Sequence, residues 1–395
     1  MTKRKSISML CSRFMRVSSA LLVFYFGLVH FATAAVIEDL FDAKIAVADQ
    51  SDKAQNAAIK QALRQVFVKV SGNDNLLKDE KISKYVAKAN TLVRAYSYEK
   101  ELNQWYLVVN FDGDKVQQAL RSADFAIWDR RRPDTIVWLA VETTGQDKQI
   151  ITSEQHPQLL QRLKEQAKIR GLKIVLPLWD LNDVQAIGVY DIWGGFIQRI
   201  QDASSRYEMN SALSARIYKL PLDSNSDQQQ RWQIDWTLLD NGQLYTGQTS
   251  AADSATAMDK IIASLAEQLA AKYAVNQQNG QFAVQQTHIV LTNVDSILTY
   301  SEILRFLNGL SVVSKATLVS QQGQRSTFAL DLLGSAEDLL NILSLDSKIS
   351  LSKRPGVLVS VEPVEQNIAG SDGSEGLTPM QNTVAQDYLE FTWNR

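Results

Sequence analysis

The chain has 395 residues, with 41 basic and 43 acidic residues and a formal net charge of −2. This length allows two or three domains, and no basic block provides the positive footprint that nucleic acid binding needs. The single cysteine, Cys11, lies in the basic start, so the rest of the chain contains no disulfide, no thiolate nucleophile and no cysteine metal ligand.

Lys3, Arg4, Lys5, Arg13 and Arg16 precede the apolar run Leu21 to Phe31, which ends at Ala32-Thr33-Ala34. This order predicts a secretory signal over residues 1–34, cleaved between Ala34 and Ala35, and a periplasmic protein. The alternative is an uncleaved anchor over Val17 to Ile37, about 20 residues being enough to span a bilayer. In that case the segment would be the only membrane contact. Cleavage leaves 36 basic against 43 acidic residues, a formal charge of about −7.

Three units are predicted to follow, α/β and α+β in class. Residues 35–130 read as strand, helix, strand, strand, helix. Alternation from Phe41 to Val47 marks the first strand. Asp49 or Ser51 caps a helix whose apolar face is Ala58, Ala62, Leu63, Val66, Phe67 and Val70, and Gly72 stops it. Strands at Leu92 to Tyr98 and Trp105 to Phe111 flank Leu102-Asn103-Gln104, and a helix runs from Asp114 to Phe125.

In residues 131–276, Thr135 to Val141 and Leu172 to Leu178 read as buried strands. The helix between them starts at Pro157 and stops at Gly171, which gives a parallel crossover. Asp191 to Tyr207 reads as one helix capped by Asp191. Trp193, Phe196, Ile197, Ile200, Ala203 and Tyr207 form its buried stripe, and Gly194 and Gly195 lie in its first turn. Three strands follow, with Asn241-Gly242 as a two-residue hairpin turn. A helix from Asp253 to Tyr273 closes the unit.

Residues 281–365 read as βαββαβ, a ferredoxin-like order. In residues 366–395, the polar stretch Gln366 to Gln381 reads as a flexible, acidic loop. Tyr388 to Trp393 reads as a strand, either docking at an edge of the third unit or free for a partner.

Four phrases together resemble a known family: "VADQSDKAQNAAIKQALRQVFVKVSG", "RRPDTIVWLAVE", "RGLKIVLPLWDLND" and "DIWGGFIQRIQDASSRY" followed by "SALSARIY". The resemblance is to exported Gram-negative envelope proteins of the domain of unknown function 2066 family, over most of the mature chain. It implies an envelope location and transfers no activity or catalytic residue. By element order alone, the middle unit is similar to the amino-terminal domain of the Tol translocation protein and to penicillin-binding-protein activator lipoproteins.

Catalytic motifs are missing from the sequence. There is no G-x-S-x-G, no P-loop and no G-x-G-x-x-G. His156 and His288 lie in different units with no partner at triad or metal spacing. Asp180, Asp183 and Asp191 follow a strand end and could hold Mg²⁺ or Ca²⁺, or simply cap short helices. Gly194 and Gly195 could open an anion site at a helix start or allow close packing. Trp179, Trp193, Gly194 and Gly195 mark a possible binding surface. The expectation is a non-enzymatic envelope accessory protein that binds a protein partner and needs no cofactor. The alternatives are a metal-dependent envelope hydrolase and a small-molecule binder.

Overall fold

The computed structural model describes residues 40–142, 147–220, 231–276, 285–353 and 388–394. The predicted signal, its Ala34/Ala35 junction and the Gln366 to Gln381 loop lie outside the described residues. Among the described residues no helix is long and apolar enough to cross a membrane. The chain from Ala34 onward forms one contact unit built on three sheets.

The first sheet is antiparallel, in the order β1 (Asp42–Val47), β3 (Gln104–Phe111), β2 (Val93–Glu101). Helix α1 (Asp52–Ser71) packs on it through Leu63, Val66, Phe67 and Val70, all fully buried. The Ser51 hydroxyl accepts from the Ala54 amide at its start. Gly72 ends the helix at φ +74°, and a Cβ there would come 2.2 Å from that of Ala270, so only glycine fits. A 3-10 turn (Asp74–Lys78) and helix α2 (Glu80–Ala87) follow, which the periodicity did not predict. Helix α3 (Gly113–Ser122) is capped by Asp112.

The second sheet is mixed. Its path is β5 (Lys148–Ile150), β4 (Asp134–Glu142), β7 (Ser211–Lys219), β8 (Trp232–Asp240) and β9 (Gln243–Ala251), with β6 (Lys173–Val175) also on β4. β4 is covered on both faces, which accounts for its unbroken apolar run. Val137, Leu139 and Val141 share a core with helices α4 (Pro157–Arg170) and α8 (Ser254–Tyr273). Ile136, Trp138 and Ala140 share one with three short helices, α5 (Leu181–Ala186), α6 (Val189–Gly194) and α7 (Ile197–Ser205). The predicted crossover is present, since β6 pairs parallel to β4. β6 is shorter than the predicted Leu172 to Leu178 and only half-buried; Pro177, two residues past its end, has no N–H to continue a ladder. Asn241 and Gly242 take φ of 46° and 79° in the β8–β9 turn, as the dipeptide predicts.

The third sheet runs β11 (Val313–Gln322), β12 (Arg325–Leu332), β10 (Gln285–Thr292), β14 (Leu389–Trp393), β13 (Ile349–Lys353). With α9 (Ile297–Asn308) and α10 (Ala336–Leu343), the order β10-α9-β11-β12-α10-β13 is the ferredoxin-like βαββαβ. β14 corrects the edge-strand expectation. It lies between β10, which it pairs in parallel, and β13, which it pairs antiparallel. Phe391 and Trp393 point into the core at 3% exposure each, so apolar burial places the strand inside the sheet.

Candidate partner-binding surface

The segment 176–207 leaves the second sheet after β6 and covers one face of β4. Its frame is a buried carboxylate. Asp183 is fully buried and accepts from the Trp179 amide (2.8 Å), the Tyr207 hydroxyl (2.6 Å) and Arg206 Nη1 (2.8 Å). The Tyr207 oxygen accepts in turn from the Leu178 amide (2.9 Å). Asp180 caps α5 through the Asn182 and Asp183 amides and takes both terminal nitrogens of Arg206 at 2.6 and 2.8 Å. The buried charge is therefore paired and fully hydrogen-bonded, as burial requires. The Arg206 hydrogen bond holds the Asp180 carboxyl well below the usual carboxylate range. Burial, then the hydrogen bond to Asp183, pushes the Tyr207 phenol up to about 12.

The aromatic layer beneath is equally fixed. Trp138 meets Trp179 edge-on at 5.4 Å and Tyr207 at 6.2 Å, and its indole N–H donates to Ser204 Oγ at 2.9 Å. Trp179 takes φ +54°, a left-handed conformation that the hydrogen bond from its amide to the Asp183 carboxylate maintains. With Trp179 turned inward, its neighbours project outward. Leu178 and Leu181 are each 71% exposed, Tyr190 70%, Val184 62% and Phe196 56%. These five apolar side chains lie within 19 residues of sequence, on a layer whose inner face is fully bonded.

Gly194 and Gly195 correct the single-helix expectation. They do not open a helix; they end one. Gly195 sits at φ +65° as the C-cap of α6, and the Phe196 amide returns to the Asp191 carbonyl. Asp191 is then a first-turn residue of α6, accepting from the Gly188 amide at 2.8 Å, and not the cap of a long helix. Phe196 leaves the buried stripe, while Ile200 and Ala203 stay in it. Close packing is not the reason for Gly195, where a Cβ would meet nothing within 4 Å; a Cβ on Gly194 would press against the Phe196 ring at 3.0 Å. Trp193 is half-buried, with Lys148 4.9 Å above its ring and Tyr218 at 6.0 Å.

Of the three aspartates, the structure brings Asp180 and Asp183 together and fills the space with Arg206. Asp191 is held apart, 3.9 Å from Arg199. A cation at Asp180 and Asp183 would have to displace that guanidinium. Among the described residues no group of three or more His, Cys, Asp or Glu is placed to hold a metal ion. His156 stands at the start of α4 without a capping bond, and His288 lies against Tyr388 at 5.4 Å.

Sequence reasoning missed a second buried network. Asp240, fully buried, accepts from Ser211 Oγ, Lys272 Nζ (2.5 Å) and the Tyr273 hydroxyl (2.8 Å). Burial, with Asp240 beside it, drives the Tyr273 phenol far above its ordinary value. These bonds fix the β8–β9 turn to α8, and Asn241 extends them to Ser344. The adjacent cavity between Lys272, Ser344 and Phe391 is about 220 Å³, below the usual size of a ligand pocket. Lysine at i and tyrosine at i+1 at a helix end carried no periodic signal.

Residues 286–386 match the family model DUF2066, and residues 34–129 match DUF8605, a domain of unknown function. The DUF2066 match spans most of the third sheet, from β10 to β13. The match is narrower than the resemblance implied: the first quoted phrase falls in the DUF8605 segment, and the middle phrases fall in neither match. No curated protein matches this chain. Among solved structures, a PelC dodecamer from Paraburkholderia phytofirmans is 12% identical, covering 34% of this chain and 86% of its own, with a TM-score of 0.20. A competence-damaged protein (CinA) superfamily protein from Klebsiella pneumoniae is 16% identical, covering 39% and 93%, with a TM-score of 0.21. The competence damage-inducible protein A of Klebsiella pneumoniae is 17% identical, covering 40% and 94%, with a TM-score of 0.20.

Proposed function

We propose that this chain is an exported accessory protein of the cell envelope that acts by binding a protein partner, without catalysis of its own. The observation that carries the reading is the outer surface of the segment 178–196, which contains α5 and α6. Leu178, Leu181, Val184, Tyr190 and Phe196 stand exposed on a frame locked by Asp183 and Arg206. Large apolar side chains exposed within one short segment, on a fixed frame, suit an interaction site. Rigidity also lowers the ordering cost of association. The fitting partner presents an apolar surface with a polar rim, which Asp180, Arg206 and Arg199 can meet at the edge. The basic start, the apolar run and Ala32-Thr33-Ala34 support export.

The test is affinity capture of the tagged full-length protein after cross-linking in its own cells, beside a Leu181→Glu/Val184→Glu variant. Leu181 and Val184 are one helical turn apart and exposed, so the variant should accumulate normally. One envelope adduct for the wild type, lost at least tenfold in the variant, is the expected result. Equal adducts from both, or none from the wild type, would overturn the reading.

A further inference from the structure

An edge strand leaves a row of backbone N–H and C=O groups open to another strand, and proteins commonly guard such edges with lysines or bulges. Among the described residues the edges of the three sheets are β1, β2, β5, β6, β9, β11 and β13. Six of the seven carry a lysine: Lys44, Lys100, Lys148, Lys173, Lys315 and Lys353, in chain order. β2, β11 and β13 are also broken by register shifts.

β9 has neither guard. Its sequence, "QLYTGQTSA", holds no charge and no proline, and all nine residues pair with β8 in unbroken register. Among the described residues, no backbone hydrogen bond outside the β8 ladder reaches it. The tight turn makes Asp240 and Gln243 a hydrogen-bonded pair, so alternation leaves Leu244, Thr246, Gln248 and Ser250 with their N–H and C=O on the open side. All four residues are exposed.

We infer that β9 is a strand-pairing surface, and that its partner is β9 of a second copy of this chain, running antiparallel about a two-fold axis. Self-pairing of a strand in antiparallel register satisfies two-fold symmetry directly. Charge decides in favour of a second copy. An uncharged strand facing itself meets no like charge in any register, whereas each of the other six edges carries a lysine of its own. The two second sheets would join into one continuous sheet. None of these residues belongs to the α5–α6 surface, so either proposal can fail without the other.

The experiment uses the full-length chain in its own cells, with Cys11→Ser as background. Single cysteines replace Leu244, Thr246, Gln248 or Ser250 in turn, and Lys315→Cys on β11 is the control. A short bis-maleimide is added to intact cells. Antiparallel self-pairing brings only the residues nearest the axis together. One position, or two neighbouring ones among the four, should give a covalent dimer at least tenfold above the control. Replacing a neighbouring open-side residue with lysine, as in Gln248→Lys beside Thr246→Cys, should reduce that dimer tenfold. No dimer above the control, equal dimers at all four positions, or an adduct to a different protein would overturn the inference.

Discussion

Arg132 brings its charge into a buried site where its hydrogen bonds go to backbone carbonyls, with the Asp129 charge nearby. It donates to the carbonyls of Lys69, Trp128, Asp129, Arg170 and Gly171 and lies 4.0 Å over the Trp128 ring. Lys69 and Arg170 are in the last turns of α1 and α4, where carbonyls lack intrahelical partners and the helix dipole favours a cation. Burial lowers this guanidinium to about 9, so it stays charged at neutral pH. Arg132→Leu should cost on the order of 3 kcal/mol or more, because several buried acceptors lose their donor at once. Arg132→Lys should recover only part of this, lacking the planar fork. Urea denaturation followed by fluorescence measures both. At Gly195 the cost is conformational. With open space around it, Gly195→Ala should lose about 1 kcal/mol through its positive φ, and Gly195→Asn less. Tyr207 sets an alkaline limit. Its folded phenol titrates near 12 against about 10 when unfolded. Its contribution is complete below pH 10 and is lost as pH rises through 12. In absorbance at 295 nm, Tyr207 should ionise only together with loss of near-ultraviolet circular dichroism.

At the scale of elements, the sequence was most informative where periodicity and punctuation agreed. The Ser51 cap, the Gly72 stop, the Pro157–Gly171 helix and the Asn241-Gly242 turn all lie where local chemistry puts them. The 176–207 layer was harder to read because its decisive bonds are non-local. Asp183 finds Tyr207 24 residues away and Trp138 finds Ser204 66 residues away. The aspartates were visible there, but Arg206, which occupies two of them, was not singled out. The Gly-Gly pair reads as a helix start in the sequence because the apolar stripe continues past it, yet αL at Gly195 breaks the helix between Trp193 and Phe196. β14 was visible as a strand, but its slot was not, since parallel pairing with β10 leaves no local mark. That slot has a measurable consequence. Phe391→Ala should destabilise the chain by about 3 kcal/mol, as for a buried core aromatic. A loss under 1 kcal/mol in denaturation would contradict the central placement.

At the scale of the molecule, the run Arg130-Arg131-Arg132 acts as a joint. Arg130 lies over the Phe41 ring of the first sheet's core. Arg131 reaches the Gly309 carbonyl, Asp346 and the Phe306 ring of the third. Arg132 ties the ends of α1 and α4. The cores also exchange residues: Val275 belongs to the third and Leu345 to the second. A chain joined this way should unfold in one transition, and Arg132→Leu should split it into two in calorimetry. Joining also keeps the α5–α6 surface at a fixed place on one body, which suits a protein that works by docking. The most direct measurement is site-specific photo-cross-linking in living cells, with a photoreactive amino acid at Val184 of the full-length protein and at Leu102, on the β2–β3 turn, for comparison. A single protein adduct from position 184 and none from 102 is the predicted result. No adduct from 184, or the same adducts from both, would contradict a binding role for this surface.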